Sequence, residues 1–334
     1  MLCVRFMIGV LLTASLPYTA NAEFPEEVTD ARPVLITGAS SGIGRVTAER
    51  LARQGYLVFA GARKKVDIDA LNAIENVQAV RLDVTSDDDV TQALSQIEAA
   101  GYGLWGLVNN AGVNHLDPML EANLDTTRWL FEVNVFGVIR VTQAFAPLLI
   151  ESGGRVVTIS SISGELAGLP GYGNYAMSKH AVEALIDTLA VELGMEGVNS
   201  IGIEPGGFSS KIGESRCRRM LAEGREYRYL VDQMREHLEY CRDLIAGDID
   251  RSEWSTPEPV AAAVESALFD EAPHARYLVT SDPFEAQLFN HKIMNDLLQY
   301  NAGAVHKYTR DELVEILDER LLILDGKMES DLPF

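Results

Sequence analysis

Apolar positions along this chain follow two rhythms that take turns. Beyond residue 31, short runs that are apolar almost throughout, PVLITG, YLVFAG, VQAVRLDV and GLWGLVNNAG, are separated by stretches at 43–54, 66–76 and 86–100 with helical patterning. Alternation of strand and helix predicts βαβ units and a parallel sheet. The rhythm continues with a long helical pattern near 125–151, a buried strand at RVVTISS, a helix from about 173 to 194 and another strand at VNSIGIEPG. No internal repeat, low-complexity tract or linker interrupts it. Residues 31–334 are therefore expected to form one domain, an α/β fold with a doubly wound parallel sheet and helices on both faces.

Residues 208–256 break the rhythm. Helical stretches rich in Arg, Glu, Tyr and Met stand where the next crossover helix is expected, and from Lys211 to Arg242 eight basic residues meet six acids. Two readings stay open: a helical lid inserted before the last strand, or a solvated pair of helices of mixed charge. The alternation resumes at 257–270, ARYLVT reads as the last strand, and helices near 284–300 and 310–322 form a C-terminal extension.

Composition narrows the class. At 334 residues, with 47% hydrophobic and 23% charged, the chain can bury a substantial core. A formal net charge of -21 argues against a nucleic-acid backbone as partner, which would need clustered Lys and Arg. The first 22 residues stand apart: Arg5 is their only charge, Phe6 to Leu16 is mostly apolar, and Ala20, Asn21 and Ala22 resemble a cleavage site. They read as a secretory signal peptide, with Glu23 first in a mature chain exported to a periplasm or secretory lumen. An uncleaved membrane anchor, or an over-long gene start before a cytoplasmic protein, are the alternatives. Cys3 lies in this leader, which leaves Cys217 and Cys241, too few for a metal site but able to pair in an oxidising compartment.

Two constellations carry candidate chemistry. TGASSGIG, residues 37–44, runs from the first strand straight into a helix, with Gly38, Gly42 and Gly44 allowing a tight turn and close approach of a pyrophosphate to helix N–H groups. In YGNYAMSKHA, Tyr175 and Lys179 are four positions apart, so on a helix they share a face.

Together with LDV at 82–84, NNAG at 109–112, Asn134, SSISG at 160–164 and EPGGFS at 204–209, these motifs occur in the order and near the spacing of the classical short-chain dehydrogenase/reductase family. The chain resembles that family over roughly residues 32–282. The resemblance implies a Rossmann-type fold and an oxidoreductase that moves a hydride between a nicotinamide and a secondary alcohol or ketone. It gives Tyr175 the role of proton donor, Lys179 that of the cation that lowers the phenol and grips the nicotinamide ribose, Ser161 that of hydrogen-bond donor to the substrate oxygen, and Asn134 that of holding a water behind Lys179. Ser161 precedes Tyr175 by 14 positions where 12 or 13 is usual, so Ser160 and Ser163 are the competing serines. No imidazole is needed, and His115 and His180 are expected to be structural.

For the cofactor, the resemblance implies Thr37, Gly38, Ser40, Ser41, Gly42, Ile43 and Gly44 at the pyrophosphate and Asp83 with Val84 at the adenine. Asn110, Ala111 and Gly112 would line the ribose, Asn109 would steady the sheet, and Pro205, Gly206 and Ser209 would shape the nicotinamide pocket. After the second strand stands Ala62 rather than an acid, followed by Arg63, Lys64 and Lys65. That pattern favours the 2′-phosphate of NADP(H), with NAD(H) possible. An epimerase or dehydratase of the extended branch would need a different glycine spacing. A catalytically idle NADPH-binding scaffold is the alternative from another class, and the intact Ser, Tyr, Lys and Asn disfavour it. The tail resembles the 17-beta-hydroxysteroid and retinol dehydrogenase branch, which implies a bulky hydrophobic, steroid- or retinoid-like substrate. It also implies a homodimer or homotetramer through the helices at 125–151 and 173–194.

Overall fold

The structure is a computed structural model and describes residues 32–252 and 254–328. The leader at 1–22, Cys3 and the expected cleavage before Glu23 lie outside the described residues.

Seven strands form one parallel sheet: β1 (Val34–Ile36), β2 (Val58–Ala62), β3 (Val77–Arg81), β4 (Gly106–Asn109), β5 (Arg155–Ile159), β6 (Asn199–Pro205) and β7 (Arg276–Val279), in the spatial order β3-β2-β1-β4-β5-β6-β7. β1, β2, β4 and β5 are buried along their whole length, which explains their unbroken apolar runs: a parallel strand covered on both faces has no wet side to mark with polar residues. Successive residues of β1 serve opposite layers. Val34 and Ile36 pack with α1 (Gly42–Arg53), α2 (Lys65–Asn72) and α9 (Glu258–Phe269), whereas Leu35 packs toward α3 (Asp87–Ala100) and α5 (Gly137–Ser152). α4 (Leu124–Phe131) and α6 (Gly173–Gly194) complete that second layer. The order reverses between β1 and β4, so the carboxyl ends of the central strands open onto a crevice at the switch point.

The helix expected over 125–151 is not continuous. Between α4 and α5 the chain widens into one π turn, Glu132–Phe136. One extra residue in the turn draws Asn134 inward, where its side chain clamps both backbone groups of Val113, at 2.8 and 2.9 Å. Gly137 follows, and a Cβ there would sit 2.7 Å from Val84 Cγ2, so the helix can cross the β3 loop at this point only as glycine.

Residues 208–256 form two helices, α7 (Lys211–Glu223) and α8 (Val231–Ala246), joined by a buried disulfide between Cys217 and Cys241. They rest on the loop after β4: Leu116, Met220 and Met234 make one apolar cluster. Beyond β7 come α10 (Pro283–Gly303) and α11 (Arg310–Leu324), the latter opened by a reciprocal cap between Thr309 and Glu312.

Candidate active site

β5 ends at Ile159, and Ser161 then caps the short 3-10 turn Ile162–Gly164, accepting from Ser163 N–H at 3.1 Å. Gly164 is pressed against α6 so closely that a Cβ would meet Glu183 Oε1 at 2.5 Å. This contact brings the serine turn alongside α6, where the Ser161 hydroxyl favours the ionised form of the Tyr175 phenol. Of the competing serines, Ser160 is buried with its hydroxyl unpartnered, and Ser163 gives its backbone N–H to Ser161. The loop between Ser161 and Tyr175 turns back at Gly168 and Gly171, both at positive φ.

One turn along α6, Lys179 is buried, and its Nζ donates to the carbonyl of Ile159 at 2.9 Å while lying 5.8 Å from the Tyr175 ring centroid. Burial lowers the ammonium to about 8. It also pushes the Tyr175 phenol up to about 12, against opposing pulls from the Ser161 hydrogen bond and the Arg216 charge. In this structure the Lys179 ammonium is turned to Ile159, and the charge of Arg216, on α7, also pulls on the phenol.

Asn134 spends both amide hydrogens, on Val113 O and on Ser178 Oγ at 3.0 Å, and Oδ1 already accepts from Val113 N–H. One lone pair of Oδ1 is left for a water, on the side of Gly112, whose Cβ position would lie 3.5 Å from Oδ1 and 4.0 Å from Lys179 Nζ.

The crevice fits a dinucleotide. α1 begins at Gly42 with no side-chain cap from Ser41 and no acid in its first turn, so its first N–H groups are free for an anion. Gly38 and Gly42 hold positive φ, and no side chain would fit at Gly38, where a Cβ would come 2.9 Å from Ala111 Cα. Ser40, Ser41, Gly42 and Ile43 are partly exposed along this turn. Thr37, Gly44 and Val84, also expected at the cofactor, are buried and face the protein. Thr37 Oγ1 accepts from Asn110 and Ala111 N–H, Gly44 abuts the Asn110 amide, and Val84 packs on Gly137. Their contribution is the shape of the turn, not side-chain contact. Asn110 braces the same turn through Thr37 O at 2.8 Å, and Asn109 ties β4 to α5 through Thr142.

At the adenosine end Arg63 Nη1 lies 3.5 Å from Asp83 Oδ2. Burial would raise the Asp83 carboxyl, but hydrogen bonds from Thr85 and the Arg63 charge hold it below the usual range. At the nicotinamide end Pro205 closes β6, and Ser209 lies 3.4 Å from Arg251 Nη2. The Gly206–Gly207 turn is clasped by Glu285 from α10: Gly207 N–H donates to Oε1 at 2.8 Å, and a Cβ on Gly206 would overlap the carboxylate. Neither Glu285 nor Arg216 was singled out from sequence, since each acquires its place through a long-range contact. His115 is buried near Asp117 and Glu223, and His180 Nδ1 faces Ala176 O at 2.8 Å.

With this geometry in view, the comparisons agree. A model of the short chain dehydrogenase family matches residues 32–243. The mitochondrial D-beta-hydroxybutyrate dehydrogenase of Bos taurus is 33% identical over 276 residues, 74% of this chain and 76% of that protein. The 11-beta-hydroxysteroid dehydrogenase type 2 of Homo sapiens is 33% identical over 263 residues, 74% of this chain and 63% of that one. A solved short chain dehydrogenase/reductase from Burkholderia phymatum, in complex with NAD, aligns with a TM-score of 0.67 at 26% identity over 81% of this chain and 95% of that one. The chain belongs to the short-chain dehydrogenase/reductase family. It is accordingly an oxidoreductase that works with a nicotinamide cofactor on a small molecule.

Proposed function

We propose that the protein interconverts a secondary alcohol and a ketone whose largely apolar body lies beneath α7 and α8, with NADP(H) as the preferred cofactor. The observation that carries this reading is the convergence of Ser161, at the end of β5, with Tyr175 and the buried Lys179 one helical turn behind it on α6.

The glycine turn, Arg63 and Asp83 would hold the dinucleotide. When bound, a dihydronicotinamide supplies the hydride. As negative charge grows on the ketone oxygen, Ser161 donates a hydrogen bond to it and Tyr175 transfers its proton. A phenol near 12 keeps that proton until the oxygen becomes basic, which suits reduction at neutral pH. Lys179, held at Ile159 O, is within one turn of both the phenol and the Gly112 side of the crevice, where a ribose would lie. Leu116, Met220 and Met234 offer the apolar wall. The steroid named for the human relative is compatible with a bulky ligand there. We further infer export through the leader, and assembly as a homodimer or homotetramer.

The test is absorbance of NADPH with a panel of ketones, for the parent and for Tyr175→Phe. Loss of the hydroxyl should lower turnover by ~1000-fold or more while NADPH binding persists. Rapid turnover by the variant would refute the role of Tyr175, and cofactor binding without turnover of any ketone by the parent would favour the idle scaffold.

A further inference from the structure

A charge taken out of water has to be met by an opposite charge or by a full set of hydrogen bonds. The lid meets this demand for two of the arginines it turns inward. Arg225 pairs with Asp117 and donates to Glu121 O at 2.8 Å; Arg219 lies 4.1 Å over the Trp129 ring, donates to Asn114 O at 3.1 Å and feels the charge of Glu223.

Arg216 is different. It is 8% exposed and lies 5.8 Å over the Tyr172 ring, and among the described residues no carboxylate is seen to pair with it. Its one hydrogen bond is from Nη1 to the Tyr172 hydroxyl, at 3.3 Å, and Nε is buried with no acceptor. Tyr172 stands immediately before α6, three residues ahead of Tyr175, and the Arg216 charge reaches the Tyr175 phenol. The cation, with no carboxylate to meet it, thus sits beside the residue that opens α6, where its charge reaches the phenol. One helical turn from Arg216, on the same buried face of α7, comes Met220 of the apolar wall.

We infer that Arg216 anchors a carboxylate on the substrate, so that the ligand class is a hydroxy or keto acid with an apolar body. The inference rests on the oxidoreductase reading above for the reacting group, and on Arg216 alone for the acid. The free Nε edge of a guanidinium presents two parallel N–H bonds to a carboxylate, which a neutral ester or amide cannot match in charge. The apolar wall then takes the remainder of the molecule.

Calorimetry on the NADPH-loaded protein, with octanoate and octanamide as probes, tests this without requiring turnover. Octanoate should bind ~10-fold or more tighter than octanamide in the parent, since a charge-assisted pair is at stake. Arg216→Met should bring the two affinities together, and Arg216→Lys, which keeps a cation, should retain part of the preference. Equal affinities in the parent, no binding of either probe, or a preference that survives Arg216→Met would overturn the assignment. A protein that prefers octanoate yet reduces no ketone or keto acid would leave the anion site standing and sink the oxidoreductase reading instead.

Discussion

Arg63 is the residue on which the proposed preference for NADP(H) rests. Its side chain is 63% exposed, its nearest acid is Asp83, and Lys65 behind it is drawn to Asp69 at 2.9 Å. Arg63 is thus drawn toward Asp83, and Lys65 along its own helix. Charge-assisted hydrogen bonds to a 2′-phosphate contribute roughly 1.5–3 kcal/mol each, so Arg63→Ala should lower kcat/KM for NADPH by ~10-fold or more, with a smaller loss for NADH. Steady-state kinetics with both cofactors check this; a parent that prefers NADH, or discrimination unchanged in the variant, would count against it. The absence of an acid at Ala62 was legible from sequence because Ala62 closes a strand of unbroken apolar residues. The pull of Arg216 on the phenol was not: Arg216 and Tyr175 are 41 positions apart, and no local spacing joins them.

At the scale of elements, runs that are apolar on both faces can hardly be anything but central strands, so the sheet could be read directly. The π turn at Glu132–Phe136 escaped because a single added residue barely disturbs a helical hydrophobic pattern over 29 residues. Pairing of Cys217 with Cys241 was open for a different reason, since two helices of mixed charge say nothing of how they cross. Their bond fastens α7 to α8 across a sequence separation of 24, a loop for which cross-linking stabilises by about 3.5 kcal/mol on chain-entropy grounds. The double change Cys217→Ala and Cys241→Ala should therefore act on α7 and α8 first. Hydrogen exchange is expected to quicken in α7 and α8 and leave the central strands protected; uniform loss of protection across the sheet would contradict a local fastening.

The whole molecule is closed by a charge cluster that spans three elements. Arg276 on β7 reaches Glu204 of β6 at 2.9 Å and also pairs with Glu183 and Asp187 of α6. Burial, with the Glu183 charge beside it, raises Glu204 to about 7. A carboxyl raised on folding contributes stability below its unfolded value of 4.5 and loses it as pH rises toward 7. Glu204→Gln, which fixes the neutral form, should thus raise the melting temperature relative to the parent more at pH 8 than at pH 5; the opposite trend would show that the ionised form is the better fitted. Glu285 has a similar reach but a different meaning. Its carboxylate comes from a helix laid down after the last strand, yet it holds the Gly206–Gly207 turn on which the nicotinamide end of the crevice depends. During synthesis every motif of the family has left the ribosome before this clasp can form. A nascent chain is thus complete by inventory while its crevice still lacks a wall, and the order of manufacture delays a finished site until the sheet beneath it is already closed.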